Sequence, residues 1–266
     1  MTATVRVGID ASAPSRAALA WAAAYAADCH LPLVLNHAVD DADIADSDQR
    51  REGLAAAERL LQDAREQVAT QFDGLDVTAQ ALVGDPARAL ADEADPDDLL
   101  VIGTHKTGFL RGRMFGARSL EIVARARSAV AVVPADHRSS RSGVVVAITR
   151  TGQEALEWGL TYGVQRHQPF TLVSRANPDD SATPPELATA LTRGRELAPR
   201  ASIRSQSTVR ELAEAVLDAG RSALVTVLPE ASFPGNLSDA LTHDVLMNIT
   251  GPVVIVRNTS TEGHHP

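Results

Sequence analysis

The chain has 266 residues, 25 basic against 34 acidic side chains for a formal charge of −9, one cysteine and a 44% apolar share. That length suits one large domain or two small ones, and the apolar share is that of a globular chain rather than a disordered one. A single cysteine excludes an internal disulfide and fits a reducing cytoplasm, and no apolar run approaches a membrane span. The segment Met1–Arg6 lacks the regions of a signal peptide, and the acidic balance speaks against bulk nucleic-acid binding.

Val5–Ile9 is a short apolar run suited to a buried strand, and Ser15–Ala27 follows with Leu19, Ala22, Ala23 and Ala26 on one helical face. Pro32–His37 reads as a second strand, trailed by an acidic loop over Asp40–Asp48. Arg50–Phe72 is a long amphipathic helix with Leu54, Ala57, Leu61, Ala64 and Val68 in register, and Asp76–Leu82 is a third strand. Gly84-Asp85-Pro86 opens the next helix, with Asp85 as N-cap and Pro86 at its first position. Leu99–Ile102 and Ala129–Val133 are the last strands, separated by a glycine-rich loop and a helix over Leu120–Arg127. Strand–helix alternation of this kind predicts an α/β fold, a mainly parallel sheet covered on both faces. Ligands of such sheets sit outside the carboxyl ends of the strands, where strand order reverses.

The chain then repeats itself. At a constant offset of 137, Ala18, Leu19, Trp21, Tyr25, His30, Pro32 and Leu35 meet Ala155, Leu156, Trp158, Tyr162, His167, Pro169 and Leu172. Both tryptophans and both tyrosines of the chain fall in this match. Asp98–Val101 aligns with Ser222–Val225, and Ser128–Val133 with Gly251–Val256. The expected organisation is two copies of one unit, 1–135 and 143–258, joined by the polar stretch 136–142 and packed as an intrachain pseudo-dimer.

The chemistry gathers after the fourth strand of unit one. Residues 103–127 carry Lys106, Arg111, Arg113, Arg118, Arg125 and Arg127 against Glu121 alone, a net of +5 inside a protein of −9. Of the chain's 25 basic residues 24 are Arg, and Lys106 in this loop is the only lysine. GC-rich codon usage explains scarce lysine but not where the survivor lies. Glycines let backbone N–H groups converge on an anion, and a helix N-terminus adds favourable potential. The segment therefore reads either as a polyphosphate site or as a solvated basic loop.

These residues resemble the universal stress protein family, over essentially the whole chain and most closely in unit one. Val7-Gly8-Ile9-Asp10-Ala11-Ser12 is similar to the family's opening strand, and Gly84-Asp85-Pro86 to its turn before the third helix. Gly103 and Gly116 match the outer glycines of its G-x₂-G-x₉-G-[ST] phosphate motif, and Ser119 a second hydroxyl position. Lys106 stands where the middle Gly belongs and Ala117 where the hydroxyl belongs. The resemblance implies a five-stranded sheet of order 3-2-1-4-5 in each unit, with ATP across the first and fourth strands of unit one and Mg²⁺ carried by the nucleotide.

It also implies a set of binding residues. Gly8, Ile9 and Asp10 end the first strand, where the Asp10 carboxylate would accept hydrogen bonds from ribose or adenine or else cap its loop. Ala38 and Val39 would hold adenine by backbone groups. Gly84 would admit the ribose or shape the turn before Asp85. Ile102, Gly103, Lys106, Gly116, Ala117, Arg118 and Ser119 would surround phosphate. No general base, metal cluster or activated nucleophile stands out, so binding rather than catalysis is expected, with any ATP turnover slow. His105 reads as a loop residue and Cys29 as an inert thiol.

Unit two lacks the constellation. Thr149 replaces Asp10, no G-D-P precedes its third helix, and the loop after its fourth strand carries Pro229, Glu230 and Pro234. Proline offers no N–H to an anion. Two functions follow: an adenine-nucleotide-binding stress or signalling protein, or a scaffold of the same family that binds no nucleotide. Expected partners are the nucleotide, an unknown protein and a second copy of the chain, not nucleic acid or a membrane.

Overall fold

The computed structural model describes residues 3–43, 46–104, 109–110, 113–114, 117–135, 141–178, 182–230 and 240–257, at 43, 109–110, 113–114 and 117 the backbone alone. The first half runs β1 (Val5–Gly8), α1 (Ala13–Cys29), β2 (Leu33–Val39), a 3₁₀ turn (Asp41–Asp43), α2 (Ser47–Gln71), β3 (Val77–Val83), α3 (Pro86–Glu93) and β4 (Leu99–Thr104). It continues through β5 (Phe109–Leu110), β6 (Arg113–Met114), α4 (Ala117–Arg125) and β7 (Ala129–Pro134). The second half runs β8 (Val144–Ile148), α5 (Gln153–Gln165), β9 (Phe170–Arg175), α6 (Pro185–Leu197), β10 (Ile203–Thr208), α7 (Leu212–Gly220), β11 (Val225–Pro229), α8 (Ala240–Asn248) and β12 (Val253–Val256).

Side-chain caps set where the helices start. Ser12 Oγ accepts the Ser15 N–H at 3.3 Å, so α1 begins at Ala13 rather than Ser15. Asp46 accepts from the Asp48 and Gln49 N–H groups at 2.9 Å, which starts α2 at Ser47 rather than Arg50. Asp85 accepts from the Arg88 N–H at 2.9 Å with Pro86 at the first helical position, the arrangement the sequence announced. His30 and His167, 137 residues apart, close α1 and α5 in the same left-handed conformation with φ of 54°, so the repeat extends to the backbone.

Among the described residues ten strands form one sheet in the order β10-β9-β8-β11-β12-β7-β4-β1-β2-β3. Each half has the order 3-2-1-4-5, and every neighbouring pair is parallel except β7 with β12. That antiparallel pair sets Ala131 against Val254, with Val132 on Val253 and Val130 on Ile255, so a pseudo-two-fold axis passes through the middle of the sheet. One core layer, with Val7, Leu19, Leu35, Leu61, Val146, Leu156 and Leu172, lies under α1, α2, α5 and α6. The other, with Leu100, Ile102, Ile122, Val130, Val216, Val245 and Ile255, lies under α3, α4, α7 and α8. Both layers run without a break through the two halves.

The repeated aromatic residues meet across this axis. Trp21 stacks on Tyr162 at 6.2 Å and Tyr25 on Trp158 at 5.9 Å, while Tyr25 and Tyr162 face each other at 5.9 Å. Arg166 lies 4.1 Å over the Tyr162 ring and pairs with Asp28 at 2.6 Å. Cys29 Sγ approaches Gln165 Oε1 at 3.4 Å. Burial pushes the Cys29 thiol up against the pull of Arg166, and pushes Tyr162 up to about 12.

The strand register corrects one alignment. Val5 pairs with Leu99 and Val144 with Val225, so Leu99, not Val101, corresponds to Val225. A slip of two residues keeps every strand side chain on its own face, so apolar patterning could not detect it. The corrected register puts Pro229 in the place of Gly103. The two-residue strands β5 and β6 form an antiparallel ribbon inside the segment read as a plain loop.

Candidate functional site

A cavity of about 540 Å³ opens at the carboxyl ends of β1, β2 and β4, where the chain reverses direction across the sheet, and its size is that of a small-molecule site. Its floor is Gly8, Ile9 and Asp10 from β1 and its exit, and Ile102 and Gly103 from β4. His37, Ala38 and Val39 of β2 and the following Asp40 form one wall, with Gln49, Gly53 and Ala56 of α2 behind them. The helices contribute their beginnings: Ser12 and Ser15 at the start of α1, Pro86 and Ala87 of α3, Arg118 and Ser119 of α4. Three helix N-termini therefore converge on one space, and each brings positive potential.

Hydrogen bonds fix the rim. The Asp10 N–H donates to Ser15 Oγ at 2.8 Å, and Asp10 Oδ1 accepts the Ser12 N–H at 2.8 Å. Asp10 thus caps its own loop while lining the cavity floor. Asp40 Oδ1 accepts the Ala42 N–H at 3.0 Å. His37 Nδ1 lies 2.7 Å from the Ile9 carbonyl oxygen, tying the end of β2 to the end of β1. Arg118 is exposed at the opposite end with no acidic partner among the described residues, and Ser119 is buried in the first turn of α4.

Gly103 has a structural duty as well. A Cβ there would lie 2.4 Å from the Pro14 carbonyl carbon and oxygen and 2.7 Å from the Ser15 nitrogen. Only glycine lets β4 pass this close to the start of α1. Gly8 faces Leu90, whose Cδ1 would sit 2.9 Å from an added Cβ.

Of the residues singled out in the sequence, Gly8, Ile9, Asp10, Ala38, Val39, Ile102, Gly103, Arg118 and Ser119 stand together around the cavity. Gly84 is not among its lining residues; with φ of 132° and its N–H on the Val39 carbonyl at 3.0 Å, it shapes the turn into α3. Lys106 and Gly116 lie outside the described residues, and of Ala117 only the backbone, which opens α4, is described. Sequence reasoning passed over His37, Asp40, Gln49 and Gly53. A polar residue near the carboxyl end of an apolar strand was the available signal for His37. No periodic signal marks the α2 residues, which reach the cavity only through packing.

The second half fills the same place differently. Arg175, at the position of Ala38, pairs with Glu211 at 3.0 Å. Ser174, at the position of His37, donates to Glu186 at 3.3 Å. Glu230 pairs with Arg257 at 2.5 Å. Polar groups at these strand ends bond one another.

Among the described residues no helix is long and apolar enough to cross a membrane. No curated protein matches the chain in sequence. The fold is similar to a universal stress protein from Archaeoglobus fulgidus DSM 4304, at a TM-score of 0.76 and 13% identity over 96% of this chain and 98% of that one. A putative universal stress protein from Pseudomonas aeruginosa UCBPP-PA14 aligns at a TM-score of 0.58 and 13% identity, over 96% and 93% of the two chains. A universal stress protein solved in complex with cAMP is 26% identical over 50% of this chain and 97% of that one, at a TM-score of 0.40. The model of the universal stress protein family matches residues 1–134, half of the chain, and the chain belongs to that family.

Proposed function

We propose that the first half binds one adenine nucleotide, ATP with its Mg²⁺, and that the second half is a built-in structural partner that binds none. The observation that carries this reading is the convergence of three helix N-termini on a cavity of about 540 Å³ at the strand switch point. Arg118 and the start of α4 favour phosphate at one end, while the Asp10 and Asp40 carboxylates repel it from the other. The nucleoside thus lies toward β2 and the phosphates toward α4. Adenine is preferred on the family resemblance. The role is binding rather than turnover: Asp10 and Ser12 hold their own turns instead of activating one another.

The scaffold alternative draws on Lys106 and Ala117, which depart from the phosphate motif. Calorimetric titration with Mg-ATP separates the two readings. The nucleotide reading expects one site per chain, lost or weakened about tenfold in Asp10→Ala and unchanged in Thr149→Ala. No heat of binding, or two equal sites, overturns it. A site gained only in Lys106→Gly would assign the native chain to the scaffold role.

A further inference from the structure

We infer that His37 supplies a hydrogen-bond acceptor to the nucleoside of the bound nucleotide and so makes the site selective for a ligand with an N–H or O–H donor there. The inference rests on the nucleotide reading above. A carbonyl oxygen only accepts, so the contact of His37 Nδ1 with the Ile9 carbonyl at 2.7 Å requires the hydrogen on Nδ1. In that tautomer the lone pair lies on Nε2. His37 lines the cavity, and among the described residues Nε2 has no protein partner. At the matching place in the second half the Ser174 hydroxyl is bonded to Glu186 instead.

The neighbouring side chains narrow the ligand chemistry. Asp10 and Asp40 are anchored by the Ser12 and Ala42 N–H groups, and as carboxylates they too accept. This end of the cavity therefore favours donors: the exocyclic amine of the base or the hydroxyls of the ribose. Both sources offer the same chemistry to an imidazole lone pair.

The test uses the full chain and the variant His37→Asn. An asparagine amide places an N–H near the position of Nδ1, keeping the link to Ile9, and leaves nothing at Nε2. Each protein is titrated with ATP, 2′-deoxy-ATP, 3′-deoxy-ATP and purine riboside triphosphate, which lacks the amine. The expected result is about a tenfold loss of ATP affinity in the variant, with no loss for the one analogue that already lacks the donor. That analogue names the partner group. An equal loss with all four ligands, or no loss with any, overturns the role of His37. Failure of the native chain to bind any of the four overturns the nucleotide reading itself. Native-like tryptophan emission from Trp21 and Trp158, both in the aromatic stack, verifies that the variant is folded.

Discussion

In the first half Gly103 is the last but one residue of the fourth strand, and an added Cβ would lie 2.4 Å from the Pro14 carbonyl of α1. In the second half Pro229 holds that place, and Gly152 before α5 provides the clearance instead, its own added Cβ 3.3 Å from the Pro229 Cβ. The fold demands a close approach of strand end and helix start in both halves, but either partner can yield. The choice decides what is left for chemistry. A glycine on the strand leaves room at the cavity floor, whereas a proline adds a ring and has no backbone N–H. The same division runs through the wall, where Ala38 leaves space and Arg175 is engaged with Glu211. Equal folds thus carry unequal strand ends, and stability and binding can be tested separately.

The largest effect is expected at the seam both halves share. Tyr162 is 4% exposed and stacks with Trp21, Tyr25 and Trp158. Tyr162→Ala is expected to cost ~3–5 kcal/mol in urea unfolding, the range for deleting a buried aromatic side chain. A loss below ~1 kcal/mol would mean that the β7–β12 pairing and the shared core layers, rather than the aromatic stack, join the halves.

A smaller effect separates the two strand ends. Gly103→Ala forces backbone apart at α1 and is expected to cost ~1–3 kcal/mol, as overpacking does. Pro229→Gly removes bulk from a place where Gly152 already leaves room and is expected to cost less. Equal losses by chemical denaturation would break the comparison drawn above.

The most gradual effect is on alkaline stability. Tyr162 rises from the ordinary 10 to about 12, chiefly through burial, and Tyr25 is raised for the same first reason. A raised folded-state value means that the protonated phenol favours the fold. Its contribution is complete below about pH 10 and is lost as pH climbs toward about 12. These are the chain's two tyrosines, so tyrosinate absorbance should appear together with unfolding rather than before it. Ionisation of either ring near pH 10 in the folded chain would place it in water.

Much of this architecture was legible because it is periodic. Helical and strand spacing located the main elements, Asp85-Pro86 marked the start of α3, and the rare aromatics exposed the repeat. What those aromatics do was not legible, since contact between residues 137 apart depends on how two helices meet. The two-residue slip at Val225 escaped because alternation is blind to even shifts. The strands β5 and β6 are too short to leave a period. For the site, glycines and Asp10 stood out by type, while His37 owes its place to the Ile9 carbonyl just past the neighbouring strand, a pairing that no local pattern announces.

The antiparallel junction of β7 and β12 has a consequence for mass action. Two separate chains joined there would come apart on dilution, and their contact would depend on how much protein is present. Here the partners share one polypeptide, so each meets the other at the effective concentration set by the tether, whatever the abundance of the chain. Exact symmetry also ceases to be obligatory. In a dimer of identical subunits every substitution appears twice, whereas here a proline can replace a glycine on one side of the axis and leave the other side untouched.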